Sequence, residues 1–216
     1  MRRIRSAAFA KRKNVQFYND LTTQKSFVYL QKLNKQYKFI LIGGWAVYLY
    51  SKSLKSKDID IIVDYDVLAK IKETGEVFKN ERLRKYEINA GNFDVDIYVP
   101  HYSELGIDTK SIENSAVNQG GFSVPALEIL LLMKLFAWRN RRGSSKGQKD
   151  ELDIFSLALL PEFNWKKYQE YVKKFQFSEY DKEFVNLLKS THSIKELDVN
   201  EQKMAKFRKR ILAEVV

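Results

Sequence analysis

The segment FILIGGWAVYLYSKSLKSKDIDIIV, residues 39–63, decides the fold of this chain. It begins with an apolar run (Phe39–Ile42), continues through the pair Gly43-Gly44 and a short helical pattern, and ends in a second apolar run (Ile59–Val63). Apolar runs bounded by glycine or polar residues are typical of buried strands. The order therefore predicts a strand, a tight turn, a helix, a Lys- and Ser-rich loop and a second strand, in a βαβ-like corner.

Two acids, Asp58 and Asp60, open the second apolar run. Side chains on a strand alternate between its faces, so both carboxylates point the same way, roughly 6–7 Å apart along the strand. Ile59 and Ile61 point to the opposite face. Two carboxylates held this close repel each other unless a proton or a cation lies between them. Oxygen ligands of this kind suit a hard divalent cation such as Mg²⁺.

The glycine pair suggests a phosphate site beside these acids. A backbone without Cβ atoms can approach a phosphate closely. The helix that follows would present free N–H groups and the positive end of its dipole to an anion. Ser56, in the loop just before the acids, could meet a phosphate or face solvent. An ordinary strand–turn–helix with an acidic edge is the alternative interpretation of the whole segment.

The order Gly43-Gly44, thirteen intervening residues, then Asp58-Ile59-Asp60-Ile61 resembles the hG[GS]…DhDh signature of the nucleotidyltransferase superfamily, which has the polymerase-β-like fold. The resemblance implies an α+β core with a mixed sheet. It also implies one or two Mg²⁺ ions held by the two aspartates, and a nucleoside triphosphate bound at Gly43, Gly44 and Ser56.

A second acidic strand is predicted at Phe93–Val99, where apolar residues alternate with Asp94, Asp96 and Tyr98. Together with Arg84–Ile88 it predicts a hairpin. Charged residues on an edge strand also protect against aggregation, which is the alternative explanation of these acids. In the superfamily a neighbouring strand supplies a third carboxylate. The resemblance assigns this role to Asp96, with Asp94 as the second choice.

The segment KLFAWRNRRGSSKGQKDELD, residues 134–153, begins inside a strongly apolar helix predicted from Pro125 to about Arg139. It resembles the K…R…KDxxD region of the AbiEii-type branch of the superfamily, whose members include toxins of toxin–antitoxin and defence systems. The resemblance implies that Lys134, Arg139, Lys149 and Asp150 bind the nucleotide. Alternatively, Lys134 extends its ammonium to the surface, and Lys149-Asp150 is only a charged helix start. Residues 139–149 are predicted to form a basic, mobile loop.

Composition limits the partners of the protein. The formal net charge is +11, with basic clusters in residues 2–13, 139–149 and 203–210. Such an excess favours polyanions such as nucleotides and RNA. No apolar run approaches the ~20 residues that span a bilayer, and the chain contains no cysteine for a disulfide or a thiolate metal site. A cytoplasmic protein without membrane contact is expected.

The remaining helices are predicted from apolar spacing, and they complete the fold class: an α+β nucleotidyltransferase core, residues 1–124, followed by a helical lobe, residues 125–216. The predicted helices are Val15–Gln36, Val67–Phe78, a short one near Asp108–Val117, Asp150–Leu160, Trp165–Phe175, Tyr180–Lys189 and Asn200–Ala213. A short strand is predicted at Gly120–Val124.

The resemblance implies Mg²⁺-dependent transfer of a nucleoside monophosphate from an NTP, with ATP among the candidates, to a hydroxyl acceptor. The acceptor is RNA such as tRNA, or a protein, and a cognate toxin or antitoxin is an expected partner. A cationic aminoglycoside fits the basic charge less well. The alternative from another class is a non-catalytic protein that binds nucleic acid or a partner on the same fold.

Overall fold

The computed structural model describes residues 19–215 and has the predicted α+β class. The basic residues 2–13 and the first residues of the predicted helix at Val15 lie outside this range. The described helices are α1 (Asp20–Gln36), α2 (Gly43–Ser51), α3 (Tyr65–Thr74), α4 (Thr109–Asn114), α5 (Leu127–Asn140), α6 (Ser145–Ala158), α7 (Trp165–Lys174), α8 (Ser178–Ser190) and α9 (Glu201–Val215). The strands are β1 (Ile40–Ile42), β2 (Ile59–Ile62), β3 (Phe78–Asn80), β4 (Lys85–Asn89), β5 (Asp94–Tyr98), β6 (Val117–Gln119) and β7 (Phe122–Val124).

The main sheet has five strands in the order β1-β2-β5-β4-β3. The central pair β2–β5 is parallel, and the other pairs are antiparallel. The predicted β4–β5 hairpin is present. The corner at β1 differs from a βαβ unit, because α2 and its loop return the chain beside β1 in the opposite direction. The register of β2 and β5 places Asp60 opposite Asp96.

The hydrophobic core extends from the sheet into the helices as one cluster. Alternate residues of the central strands, among them Ile59, Val95 and Ile97, have no solvent exposure. Helix α5 is apolar on nearly all sides and packs against α2, α6, α7 and α8. It therefore fixes the helical second half of the chain to the corner that carries the glycines.

Three local predictions are wrong. The helix predicted for Val67–Phe78 ends at Thr74, and Phe78 begins the edge strand β3, which pairs with β4. The residues after Ser144 are helical, because the Ser144 hydroxyl accepts a hydrogen bond from the Gly147 N–H and starts α6. The helix predicted near Asp108–Val117 ends at Asn114, and Val117 begins strand β6, which pairs with β7.

Within residues 19–215, no helix combines the length and the apolar character needed to cross a membrane. The division of the chain at residue 124 stays a prediction.

Candidate active site

A cavity of about 440 Å³ lies between the sheet and helices α5 and α6. Its volume is within the range of small-molecule sites, about 300–1,000 Å³. Its polar lining includes most of the predicted site residues, namely Gly43, Gly44, Ser56, Asp58, Asp60, Asp96, Lys134, Lys149 and Asp150. Lys85, Arg141 and an apolar wall that contains Met133 and Phe136 also line it.

The sheet brings the three carboxylates to this cavity. Asp60 and Asp96 are register neighbours on parallel strands, so their side chains share one side of the sheet. Asp58 lies just before β2, and its Oδ1 accepts a hydrogen bond from the Asp94 backbone N–H at 3.2 Å. The Asp94 side chain does not line the cavity. Tyr98 donates its hydroxyl to Asp60 Oδ1 at 3.4 Å. The position favours Asp96 over Asp94 as the third carboxylate.

Asp96 has a cationic partner inside the protein. The Lys85 ammonium lies 2.6 Å from Asp96 Oδ2 and 2.9 Å from Glu87 Oε1. Burial raises the pKa of Asp96 to about 6, the charge of Asp60 adds to this effect, and Lys85 opposes it. Burial would lower the pKa of Lys85, but Asp96 and Glu87 outweigh it and raise that pKa above its ordinary value. The sheet thus holds two neighbouring anions and one cation that partly neutralises them.

The chemistry of this donor set fits a divalent cation with oxygen ligands. Within residues 19–215, however, no group of three Asp, Glu, His or Cys side chains converges into a preformed metal cluster. The Lys85 ammonium contacts one oxygen of Asp96 and partly neutralises that carboxylate.

The glycine corner packs directly against the carboxylates. Gly43 has φ +66°, and a Cβ atom on it would lie 2.1 Å from Asp60 Oδ2. A Cβ atom on Gly44 would lie 2.6 Å from Ser56 Oγ and 2.8 Å from Lys149 Nζ. The missing side chains leave room for Asp60, Ser56 and Lys149 at the N-terminus of α2. These groups surround backbone N–H groups that can bind an anion.

A cluster of buried charges joins α5 to α6. Lys134 lies 2.7 Å from Asp153 and 3.2 Å from Asp150, and Lys149 lies 3.1 Å from Asp153. Arg141 contacts both oxygens of Asp150 at 2.5 and 3.0 Å. The side chain of Lys134 is 8% exposed. The alternative prediction, that Lys134 extends its ammonium to the surface, is therefore wrong. The cluster carries three cations and two carboxylates, which leaves an excess positive charge beside the cavity.

The pKa shifts show how strongly these charges are coupled. Burial would lower the pKa of Lys134, but Asp153 and Asp150 outweigh it and raise that pKa. Burial would raise the pKa of Asp153, but Lys134 and Lys149 hold it below its ordinary value. Asp153 Oδ1 is buried and has no hydrogen-bond partner among the described residues. The charged forms of Lys134 and Asp153 therefore stabilise each other.

Arg139 does not line the cavity, and its role in nucleotide binding stays a prediction. It lies five residues after Lys134 on α5, about 140° around the helix at ~100° per residue. Its guanidinium is exposed, pairs with Glu183 at 3.3 Å and lies 4.7 Å from the centre of the Tyr180 ring. Arg141, beyond the end of α5, lines the cavity.

Among the cavity residues that the sequence did not indicate are Arg141 and Lys85. Arg141 belongs to the same basic run as Arg139, and no pattern in that run indicates which arginine turns inward. Lys85 could have been found, because it lies on the predicted partner strand of Asp96 and alternation places it on the same face as Glu87. Its contact with Asp96 is a cross-strand diagonal pair.

Comparison with known proteins supports the fold. No family model matches the sequence, and the comparison with curated proteins gives no match. A nucleotidyltransferase-like protein from Paracoccidioides brasiliensis is 20% identical, over 84% of this chain and 94% of that chain, with a TM-score of 0.47. A putative nucleotidyltransferase from H. pylori is 15% identical, over 89% and 96%, with a TM-score of 0.48.

ANT(2″)-Ia, solved in complex with adenylyl-2″-tobramycin, is 13% identical over 73% of this chain and 98% of that chain, with a TM-score of 0.51. At this identity the similarity concerns the fold alone. The mixed α+β core predicted from the sequence is thus confirmed as a nucleotidyltransferase fold. The AbiEii-type branch stays a prediction.

Proposed function

We propose that this protein is a Mg²⁺-dependent nucleotidyltransferase that transfers a nucleoside monophosphate from an NTP to a hydroxyl acceptor. One observation carries the proposal: Asp58, Asp60 and Asp96 line the same cavity as the glycine corner and the buried cation Lys149. The fold shared with ANT(2″)-Ia, whose structure contains an adenylylated product, supports it.

The carboxylates would hold the metal. Asp58, Asp60 and Asp96 supply the oxygen ligands that Mg²⁺ prefers, for one or two ions. When bound, Mg²⁺ neutralises charge on the phosphates and lowers the pKa of the attacking hydroxyl. The Tyr98 hydroxyl, bonded to Asp60 Oδ1, orients that carboxylate. Arranging the anions in advance on adjacent strands reduces the reorganisation needed during the reaction.

The glycine corner and the cations of the charge cluster would bind the triphosphate. Gly43 and Gly44 line the cavity at the N-terminus of α2, Ser56 would add a hydroxyl, and Lys134, Lys149 and the partly exposed Arg141 would add charge-assisted donors. In the reaction the acceptor oxygen forms a bond to the α-phosphorus, and the bond from that phosphorus to the β-phosphate oxygen breaks. Pyrophosphate leaves and the hydroxyl loses its proton. Most of the rate would come from positioning and electrostatics.

The exposed edge of the cavity favours an anionic acceptor. Arg82 and Lys146 are exposed there, and Glu104 at the same edge is paired with Arg84. These cations would attract RNA, such as tRNA, or an acidic protein surface, and would repel an aminoglycoside. A role in a cytoplasmic toxin–antitoxin or defence system, with a cognate partner protein, belongs to the same proposal.

The test is transfer of label from each α-labelled NTP, with Mg²⁺, to total RNA or to lysate protein. We expect a labelled product with the wild-type chain and at least a 10³-fold loss in the Asp58→Asn/Asp60→Asn variant, because electrostatic and metal contributions of this kind are worth about 10² or more each.

The matched control is Asp94→Asn, which alters a carboxylate of the same strand pair outside the cavity and keeps its backbone N–H. We expect it to retain most of the activity. Circular dichroism checks that each variant folds. Undiminished transfer by a folded Asp58→Asn/Asp60→Asn chain would refute the mechanism. Absence of transfer from every NTP by the wild-type chain would favour the non-catalytic binding protein.

A further inference from the structure

We propose that Lys85 is an internal counter-cation that competes with divalent metal for Asp96 and thereby sets the metal affinity of the carboxylate site. The inference rests on the proposed function, since it concerns the same carboxylates. It adds a positioning residue that belongs to neither of the motifs on which the superfamily resemblance depends.

The sheet register makes this contact a fixed feature of the site. Glu87 on β4 pairs with Asp96 on β5, and Lys85 lies two residues before Glu87 on the same face. Its ammonium is directed along the sheet to Asp96 Oδ2, at 2.6 Å. The Lys85 side chain is 10% exposed and that of Asp96 14%, so bulk water screens the pair weakly.

The contact has an electrostatic reason. Asp60 and Asp96 face each other on adjacent parallel strands, about 4.8 Å apart between the strand axes. Two carboxylates at such a distance both stay ionised only with a cation nearby. Lys85 supplies such a charge in direct contact with Asp96 Oδ2, while Arg141 acts on Asp60 from the other side of the cavity. A metal ion that takes Asp96 as a ligand therefore competes with the ammonium for this carboxylate.

Glu87 makes the replacement feasible. Lys85 lies 2.9 Å from Glu87 Oε1, and the Glu87 side chain is 32% exposed. When Lys85 leaves Asp96 it keeps this second carboxylate, so a buried ammonium is not left without a partner, which would be strongly unfavourable. On metal binding the Lys85 ammonium would move away from Asp96 on β5 and keep its contact with Glu87 on β4. Asn80, which donates its side-chain amide to Glu87 Oε1 at 3.1 Å, holds the second acid in position.

Two substitutions should change metal affinity in opposite directions. Lys85→Met removes the competitor, and we expect Mn²⁺ to bind about tenfold more tightly, the effect of losing one charge-assisted hydrogen bond from the competing state. Glu87→Gln removes the alternative partner of Lys85, and we expect Mn²⁺ to bind several-fold more weakly. Lys85→Arg keeps the cation and should remain within about threefold of the wild type.

The experiment titrates each purified chain with Mn²⁺ alone, without nucleotide, and measures free Mn²⁺ by electron paramagnetic resonance. The melting temperature with and without Mn²⁺ is a second readout. In EDTA the Lys85→Met chain should have a lower melting temperature than the wild type, and Mn²⁺ should raise its melting temperature by more. Lys110→Met, which removes an exposed cation that pairs with Glu113 outside the cavity, is the control and should change the affinity less than twofold.

The outcomes separate this inference from the function on which it rests. An unchanged or weaker Mn²⁺ affinity in Lys85→Met, with normal binding by the wild type, would overturn the role of Lys85 and leave the metal site intact. If Lys85→Met does not fold, an unchanged affinity in Glu87→Gln would overturn it instead. Absence of Mn²⁺ binding by the wild-type chain would overturn the metal-dependent function itself.

Discussion

Gly43 is the residue of the site that tolerates least change, for two separate reasons. Its φ of +66° lies in the left-handed region, and a Cβ atom there would overlap Asp60. We expect Gly43→Ala to lower the free energy of unfolding by about 1–3 kcal/mol, the usual cost of backbone strain. It should also reduce transfer at least 10²-fold by displacing Asp60. Urea denaturation and the labelled-transfer assay measure the two effects.

Gly91→Ala is the control for Gly43→Ala. Gly91 also has a positive φ, +84°, but an added Cβ would meet no atom within 4 Å. It should therefore show the cost of the backbone conformation alone, without a large loss of transfer. Equal losses of activity in the two variants would contradict a specific contact between Gly43 and Asp60.

Lys134 neutralises two buried carboxylates, so its removal should be costly. Lys134→Met leaves Asp150 with Arg141 and Asp153 with Lys149. We expect a loss of about 1–3 kcal/mol in the free energy of unfolding at pH 7, the cost of losing charge-assisted hydrogen bonds, and less than the roughly 3–5 kcal/mol of a buried charge left without any partner. The exposed pair of Lys110 and Glu113 is the control, and Lys110→Met should cost less than about 0.5 kcal/mol.

The pH dependence of this loss gives a further check. The pKa of Asp153 is below its ordinary value in the folded chain, so the stabilisation is present above the unfolded pKa, about 3.9. It is lost as the pH falls through the folded pKa. In Lys134→Met the charged Asp153 carboxylate contributes less stabilisation, so protonating it at low pH removes less. The difference in urea midpoint between wild type and variant should therefore shrink from pH 7 to pH 3; a constant difference would contradict the coupling.

At the scale of elements, the turn between α5 and α6 is held from outside by α8. Glu183 on α8 binds Arg139 at 3.3 Å and Arg142 at 2.5 Å, and Arg142 also lies over the Trp138 ring. Arg141, between these two residues in sequence, points to the cavity instead. Arg139 and Arg142 thus hold the turn between α5 and α6 that places Arg141 at the cavity.

We expect Glu183→Ala to raise the KM for the NTP several-fold while stability falls by about 1 kcal/mol or less, because the pairs are partly exposed. Steady-state kinetics of the labelled transfer measure this effect. Glu179→Ala on the same helix, where the acid forms an exposed pair with Lys182, should leave KM unchanged. A KM that is unaffected in Glu183→Ala would show that the turn holds Arg141 without α8.

The elements that the sequence predicted well are those whose pattern reflects burial. Alternation along residues 93–99 identified the strand of Asp96, since one face of β5 is buried and the other lines the cavity. Strand β3 could not be recognised, because Phe78 continues the apolar spacing of the preceding helix and becomes a strand residue only by pairing with Glu87. Arg139 and Arg141 were not distinguished, because their directions depend on where α5 ends and on the partners Asp150 and Glu183.

At the scale of the whole molecule, the cavity joins two parts of the fold. One wall comes from the sheet and the glycine corner, with Asp60 and Asp96, and the other comes from α5 and α6, with Lys134 and Lys149. In the proposed function the carboxylates bind the metal, and the excess positive charge of the other wall binds the triphosphate. A metal–nucleotide complex would balance the charges of both walls at once. The metal alone would balance only the carboxylates, and the nucleotide alone only the cations.

The melting temperature should therefore rise more with Mg²⁺ and NTP together than the sum of their separate effects. At a ligand concentration 100 times the Kd the stabilisation is about 2.7 kcal/mol, which for a chain of 216 residues corresponds to about 5 °C or more. Differential scanning fluorimetry with each NTP, with Mg²⁺ and with EDTA measures it. Lys149→Met should lose the joint effect and keep the metal effect, and Asp60→Asn should lose both. A joint effect that persists in EDTA or in Asp60→Asn would mean that the nucleotide binds without the carboxylates, so the two walls would not act as one site.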